Sequence, residues 1–520
     1  MRTPALIVLG YLLLLLSWGA SNPPSSAPDE YAHYLRAIGV GRGEFTADQL
    51  PEPYDGAEPE QLNMRWQREQ SRMIEVEGRV SAANINCHST APRFGWDCPP
   101  QDMDPNEVYE ERTWVGTYPP YAYILPGVLM QLGDDAISAL LWGRLGSALS
   151  AGALIVMAAL VLWDRKRQWA CLLGLIAAVT PMAIFSASGL TSSGPEIAAG
   201  VCFVASLLRL GRTDQKATRL VWVAAGVSGA ALVLSRDLGI FWLGIAGLAF
   251  LGLTNLRPAW TRFRSGGATA LTSVLIVVVA MAAAVAWQIM EQVSPPLDPN
   301  RILTGARNSL HITKEILRQQ IGVFGLLDTV MPGLAYAAWA VLLGALGLAA
   351  FAVGTGRQRL VLLLSIASAL ILPTLLEAAQ NQVGFGVQGR HVLPITVAVP
   401  LLAGEIIYRN PGRSSWFRAT RPALWFGAIA GVVQFVGLYI NGRQRMVGVG
   451  PPDFWNELSS SPPLGWPFWL VVGLAGGGLI AGFGWVASFG LPSLPRRRLD
   501  PLARASRGSI ADTRSDDAPE

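Results

Sequence analysis

The sequence predicts an all-α integral membrane protein of about twelve transmembrane helices, from three observations. Of its 520 residues, 51% are hydrophobic and only 15% are charged. The mean hydropathy is positive, +0.36. Charge is confined to short stretches between apolar runs at 4–20, 136–162, 169–188, 195–210, 220–235, 238–254, 268–290, 332–353, 359–378, 392–408, 422–441 and 466–488. At ~1.5 Å of rise per residue, roughly 20 apolar residues cross a ~30 Å hydrocarbon core. Several runs have only 15–17 residues; they sit at the lower limit for spanning and are candidates for half-helices buried among the others.

The first run, PALIVLGYLLLLLSWGA, emerges as SNPPSSAPDEYAHYLRA. A cleaved signal peptide is the alternative reading, against which the bulky Trp18 counts, three positions before a cut at Ala20. Residues 21–135 form a hydrophilic stretch large enough for a small ordered subdomain. It is expected to begin with a helix at 28–40, with Ser25 or Ser26 as N-cap, Pro28 in the first turn, and Asp29 and Glu30 beside the positive helix end. It ends in TWVGTYPPYAYILPG, too rich in proline and aromatic residues for an ordinary span, which reads as an interfacial or re-entrant segment. Cys87 and Cys98 fall in this stretch and are expected to form a disulfide. A metal site from Cys87, His88 and Cys98 matches no familiar zinc spacing. Cys171 and Cys202 lie among apolar residues and read as packing groups.

A second hydrophilic stretch, 291–331, contains LTGARNSLHITKEILRQQIGVF, expected as a surface helix over the bundle. Residues 1–498 thus form a polytopic membrane domain, and 499–520 a polar tail expected to be disordered and cytoplasmic. With Met1 cytoplasmic, the inner loops at 164–168, 209–219, 255–264, 354–359 and 408–421 hold 16 basic residues, and Arg496, Arg497 and Arg498 follow at the end. The opposite short loops, 190–195 and 379–391, hold only Arg390. This asymmetry places both termini inside. The net charge of +4 is therefore a sum of segregated loops and no signal for nucleic acid. The sequence has no P-loop, GxSxG or HExxH motif.

Chemistry points to the outer ends of the helices. Asp29 and His33 are four residues apart and share a helical face, whereas Glu30 points ~100° away. A carboxylate at a helix N-terminus is kept ionised, so Asp29 can accept a proton from a hydroxyl or bind a divalent cation. Helix-dipole compensation alone also accounts for both acids. Arg144 interrupts the second span. Glu196 opens a helix after GLTSSGPE, Arg236 and Asp237 occupy a tight turn, and Arg390 and His391 open another helix. In this topology Glu196, Arg236, Asp237, Arg390 and His391 gather at the level of Asp29. Carboxylates and guanidinium groups together suit a substrate with a phosphate and hydroxyls. The structural alternative pairs Arg236 with Asp237 or Glu196. Tyr118, Tyr121, Trp96 and Trp114 could stack on sugar rings, though interfacial anchoring explains such aromatics too.

The strings APDEYAHYLRA, TYPPYAYILPG, GVFGLLDTVMPG and VQGRHVLP resemble the bacterial membrane family called domain of unknown function 2142. That family is in turn similar to the GT-C glycosyltransferases, which include protein O-mannosyltransferases and arabinosyltransferases. Tyr31 stands where that motif more often has proline, and His391 where tyrosine often follows Gly-Arg. The resemblance implies a GT-C-like fold in the bacterial inner membrane. The donor would be a polyprenyl-phosphate sugar and the acceptor a glycan or lipid of the cell envelope. Asp29 would be the catalytic base, Glu30 and His33 would orient it or the acceptor, and Arg390 and Arg236 would hold the donor phosphate. The rivals are a transporter or lipid flippase and an accessory subunit of envelope assembly. Against transport, the segment lengths show no inverted repeat and the polar residues cluster at one face.

Overall fold

A computed structural model describes residues 2–50, 61–86, 96, 101–167, 169–212, 214–291, 298–447 and 461–489. The expected Cys87–Cys98 disulfide, the metal alternative with His88 and the tail from 499 lie outside the described residues.

The chain is helical, as its apolar runs require. α1 (Arg2–Ser21) leads into a loop subdomain with α2 (Glu30–Gly41), α3 (Leu62–Gln70) and α4 (Ile124–Met130). The bundle follows with α5 (Ala136–Leu162), α6 (Leu173–Ala178), α7 (Pro181–Ser188), α8 (Ser193–Leu210), α9 (Arg219–Ser235), α10 (Gly239–Thr254) and α11 (Leu256–Glu291). Then come α12 (Pro299–Gly322), α13 (Gly333–Val353), α14 (Gly356–Gln380), α15 (Gly389–Thr396), α16 (Ala398–Arg409), α17 (Ser415–Ala419), α18 (Pro422–Val447) and α19 (Gly465–Phe489). Among the described residues, nine helices are long and apolar enough to cross a membrane, taking α15 and α16 as one. The protein is a multi-pass membrane protein. The other three apolar runs are helical but shorter. α9 and α10 have 17 and 16 residues, and the run at 169–188 breaks into α6 and α7. Pro181 causes that break, since it has no amide hydrogen to continue α6. Thr180 caps the new helix by accepting from the Ala183 amide at 3.2 Å.

α8 is the most enclosed span and packs against α5, α7, α9, α10, α15 and α16. α1 belongs to the same core, where Trp18 is fully buried against Phe185 and Phe324 at 5.4 and 4.9 Å between rings. α11, α13, α14 and α19 turn leucines and valines outward, the lipid-facing pattern of a bundle rim. Gly267, at φ 56°, divides α11 into an approach segment and the span proper. At the basic-loop end, Arg212 and Glu405 form a fully buried pair at 2.8 Å that ties the end of α8 to α16.

The loop subdomain adds a small antiparallel sheet, β1 (Asp48–Gln49), β2 (Arg72–Glu77) and β3 (Val108–Thr113), in that order. Alternate β2 residues, Ile74 and Val76, are buried with Tyr34 and Ile38 of α2. The TYPPYAYILPG element forms a short 3₁₀ turn and α4, an 11-residue apolar piece too short to span. The expected surface helix is α12. It is tied inward by two bonds: the Thr180 hydroxyl donates to the Gln320 carbonyl at 2.8 Å, and the Gly389 amide donates to the Gln319 side chain at 2.7 Å.

α2 and α4 touch backbone to backbone. A Cβ on Gly41 would stand 2.2 Å from the Gly127 carbonyl oxygen, and one on Gly127 2.2 Å from that of Ala37. Gly127→Ala is therefore expected to destabilise by about 1–3 kcal/mol, read as a lower melting midpoint in detergent. Gly244→Ala on α10, where a Cβ meets nothing within 4 Å, should not lower the midpoint.

Candidate active site

The site depends on a charge buried in the bundle. Arg144 of α5 is 1% exposed, and an unpaired guanidinium there would be strongly unfavourable. Its Nε and Nη2 grip the Glu30 carboxylate at 2.8 and 2.6 Å. Nη1 donates to the Gly19 carbonyl at 3.2 Å and to that of Asn22, and Nη2 donates to that of Pro23 at 2.8 Å. Arg144 thus satisfies carbonyls left open where α1 ends. Glu30 also accepts the Leu190 amide at 3.1 Å, which fixes the turn leading into α8.

This network pins the segment between α1 and α2 and sets the position of Asp29. The helix starts at Glu30, so Asp29 occupies the N-cap position expected for Ser25 or Ser26. It has left-handed backbone angles, φ 61° and ψ 13°, and its side chain makes no capping bond. Aspartate tolerates that conformation better than most residues, but at a conformational penalty that the surrounding contacts must hold in place. The carboxylate is turned instead toward Arg390 in the first turn of α15, 2.9 Å away.

Asp29 and Arg390 open into a cavity of about 400 Å³. The lining also includes His33 from α2, Glu196 from α8, Arg236 and Asp237 from the α9–α10 turn, His391 from α15, and Tyr118. The structure therefore brings together most of the residues that the sequence placed at one level. The Arg236–Glu196 alternative is present only as a loose 4.0 Å pair. Glu196 accepts the Trp242 indole N–H at 3.1 Å, and Arg236 donates to the Ser193 hydroxyl at 3.4 Å. Arg236 also lies 5.6 Å over the Tyr118 ring.

Electrostatics separates the two titratable groups of α2. Burial alone would raise the Asp29 carboxyl, but the charge of Arg390 and hydrogen bonds from Arg390 and Trp114 hold it below its ordinary value. His33 is pushed down to about 3, first by burial and then by the charges of Arg390 and Arg236, against the pull of Asp29. It is a neutral imidazole near pH 7, with Nδ1 at 2.7 Å from the Tyr123 hydroxyl. Burial likewise raises the Tyr118 phenol, which stays protonated.

Three residues expected here are elsewhere. Glu30 does not line the cavity, because Arg144 and Leu190 hold its oxygens. It diverges from Asp29, so the two do not form a chelating pair. Among the described residues, no three His, Cys, Asp or Glu side chains converge as metal ligands would. Tyr121 packs against the main hydrophobic core, and the Trp96 indole donates to the Ser21 carbonyl at 3.2 Å. Conversely, α3 brings Trp66, Gln67 and Gln70 to the cavity. Its sequence, LNMRWQREQ, is polar almost all round and gave no signal of a site.

A family model described as "Predicted membrane protein (DUF2142)" matches residues 12–399. No curated protein matches the chain in sequence. Two crystal structures of ArnT from Cupriavidus metallidurans align with it, one in the apo state and one bound to undecaprenyl phosphate. Their TM-scores are 0.42 and 0.41 at 13% and 14% identity, covering 94% of this chain and 77% of the ArnT chain.

Arg144→Met leaves Glu30 buried without a counter-charge and is expected to destabilise by about 3–5 kcal/mol in thermal unfolding. The double variant Glu30→Met/Arg144→Met should recover part of that loss. His33 gives a pH signature: its unfolded value lies near 6.5 and its folded value at about 3, so below pH 6.5 the unfolded chain binds a proton that the folded one does not. Stability should fall as pH drops through this window, by about 1.4 kcal/mol per unit, and His33→Gln should lose that dependence.

Proposed function

The chain belongs to the DUF2142 family of membrane proteins, and we propose that it is a membrane glycosyltransferase. It would take a sugar from a polyprenyl-phosphate donor and transfer it to a glycan or lipid acceptor of the cell envelope. The observation that carries this reading is the Asp29–Arg390 contact at 2.9 Å, in one cavity with Arg236. Arg390 is nearly fully buried, yet its Nε has no hydrogen-bond partner among the described residues. Arg390 lines the cavity with a single carboxylate contact, and a guanidinium with donors to spare there favours an anionic ligand, for which a phosphate supplies the matching oxygens.

In this mechanism the donor phosphate is held by Arg390 and Arg236. The acceptor hydroxyl gives its proton to Asp29 while its oxygen attacks the anomeric carbon. The bond from that carbon to the phosphate oxygen breaks with inversion, and the polyprenyl phosphate leaves on the two guanidinium groups. When phosphate oxygens share Arg390, Asp29 loses part of the charge that suppresses its basicity, so the carboxylate becomes a better base with donor bound. Neutral His33, anchored by Tyr123, would orient the acceptor without competing for its proton. The positive-inside asymmetry supports an extracytoplasmic location for this face, with both termini cytoplasmic, and the family resemblance supports a bacterial inner membrane.

Asp29→Asn is expected to lower transfer by about 10²–10⁴-fold while the protein inserts and accumulates normally. The assay is consumption of polyprenyl-phosphate sugars from a panel by purified protein, and full activity in this variant would refute the base assignment. The carboxylate is active when ionised, so rates should fall as pH drops through its pKa. For kcat/KM, which reports the free enzyme, that limb should lie below the ordinary carboxylate range, because Arg390 holds the Asp29 carboxyl down. For kcat it should lie higher, because bound phosphate shares Arg390.

A further inference from the structure

The cavity is electrically two-sided. Every charged residue that lines it comes from the α1–α2 junction, the first turns of α8 and α15, or the α9–α10 turn. The remaining wall comes from α3, the stretch at 114–118 and the stretch at 376–388. Among the described residues it presents aromatic rings and amides, including Trp66, Gln67, Gln70 and Gln380, and no lysine, arginine or carboxylate lines it. Glu377, in the last stretch, is buried behind Gly386 and accepts the Val387 amide at 2.6 Å.

This neutrality is built in, because α3 is not short of charge. Arg65 and Glu69 pair with each other at 2.9 Å on a more exposed side of the helix. Trp66, Gln67 and Gln70, at spacings of one and four, are on the side that lines the cavity. The helix is seated closely on the turn after α14. Gly384, at φ +75°, has a virtual Cβ only 3.0 Å from the Asn63 nitrogen, so a side chain there would push α3 off its seat.

An amide both donates and accepts, as a sugar hydroxyl does, and an aromatic face covers the apolar face of a ring. A carboxylate or ammonium on the ligand would find no counter-charge on this wall, and burying it unpaired is unfavourable. The amide wall adjoins the proposed phosphate ligand directly, since Gln388 lines the same cavity two residues before Arg390. About 400 Å³ falls within the ordinary size of small-molecule sites, about 300–1,000 Å³.

We propose that Trp66, Gln67, Gln70 and Gln380 form the subsite for the sugar ring of the donor, and that this sugar is uncharged. The inference rests on the glycosyltransferase reading and names its substrate class.

The test uses the full chain in lipid nanodiscs and measures binding of four probes: bare polyprenyl phosphate, and the same lipid bearing a neutral hexose, an amino sugar or a uronic acid. The wild type is expected to bind the hexosyl lipid roughly tenfold more tightly than the bare lipid, as one or two net hydrogen bonds supply. Trp66→Ala and Gln67→Ala/Gln70→Ala should erase that increment while retaining affinity for the bare lipid, which also reports correct folding. Arg390→Gln should weaken both. The subsite is refuted if the hexose adds nothing in the wild type, if these variants keep the increment, or if either charged sugar binds as tightly as the hexose. If the wild type binds none of the four lipids, the glycosyltransferase reading fails and the subsite with it.

Discussion

The clasp between Arg144 and Glu30 is the constraint on which the rest of the site depends. A guanidinium in the interior of a membrane bundle must be neutralised and hydrogen-bonded, and the carboxylate that does so is the residue next to the proposed base. Because the same guanidinium holds three carbonyls at the end of α1, the chain has little freedom between the first span and α2. Asp29 is left in an uncommon backbone conformation with its side chain directed away from its own helix. A residue that does no chemistry therefore fixes the one that would.

The two neighbouring acids show how environment divides similar side chains. Glu30 is enclosed by Arg144 and the Leu190 amide, so its charge is spent on architecture. Asp29 keeps one face on a cavity, with its side chain 43% exposed, and shares a single contact with Arg390. The opposite end of the bundle repeats the first arrangement without the second. There Arg212 and Glu405 are both buried, and Arg409 adds a further bond at 2.8 Å. Polar groups at that end join helices, whereas at the loop end they also face a space large enough for a ligand.

Much of this was legible in the chain. All twelve apolar runs are helical, and the residues opening α8 and α15 and the turn before α10 fall where short polar breaks placed them. Helix starts of this kind are local, and positive-inside topology then sets which of them share a level. The partnership of Arg144 with Glu30 could not be read, because it spans 114 positions and nothing in either sequence context selects the other. The contribution of α3 was invisible for a different reason. A short polar helix in a loop has no periodic apolar face, and only its seat on Gly384 brings it over the cavity. The N-cap of α2 was misplaced by two serines that fit a capping pattern, while the buried clasp decided where the helix begins.

The tether between Gln319 and Gly389 joins α12 to the helix that carries Arg390. α12 carries exposed Ile302, Leu303 and Leu317 beside charged and amide side chains, a two-sided composition of the kind that suits the boundary between acyl chains and headgroups. Its bond to the first residue of α15 couples the position of Arg390 to that of α12. On the proposed reading, a carrier lipid would meet the Arg390 guanidinium beside α12, near the height of its own headgroup.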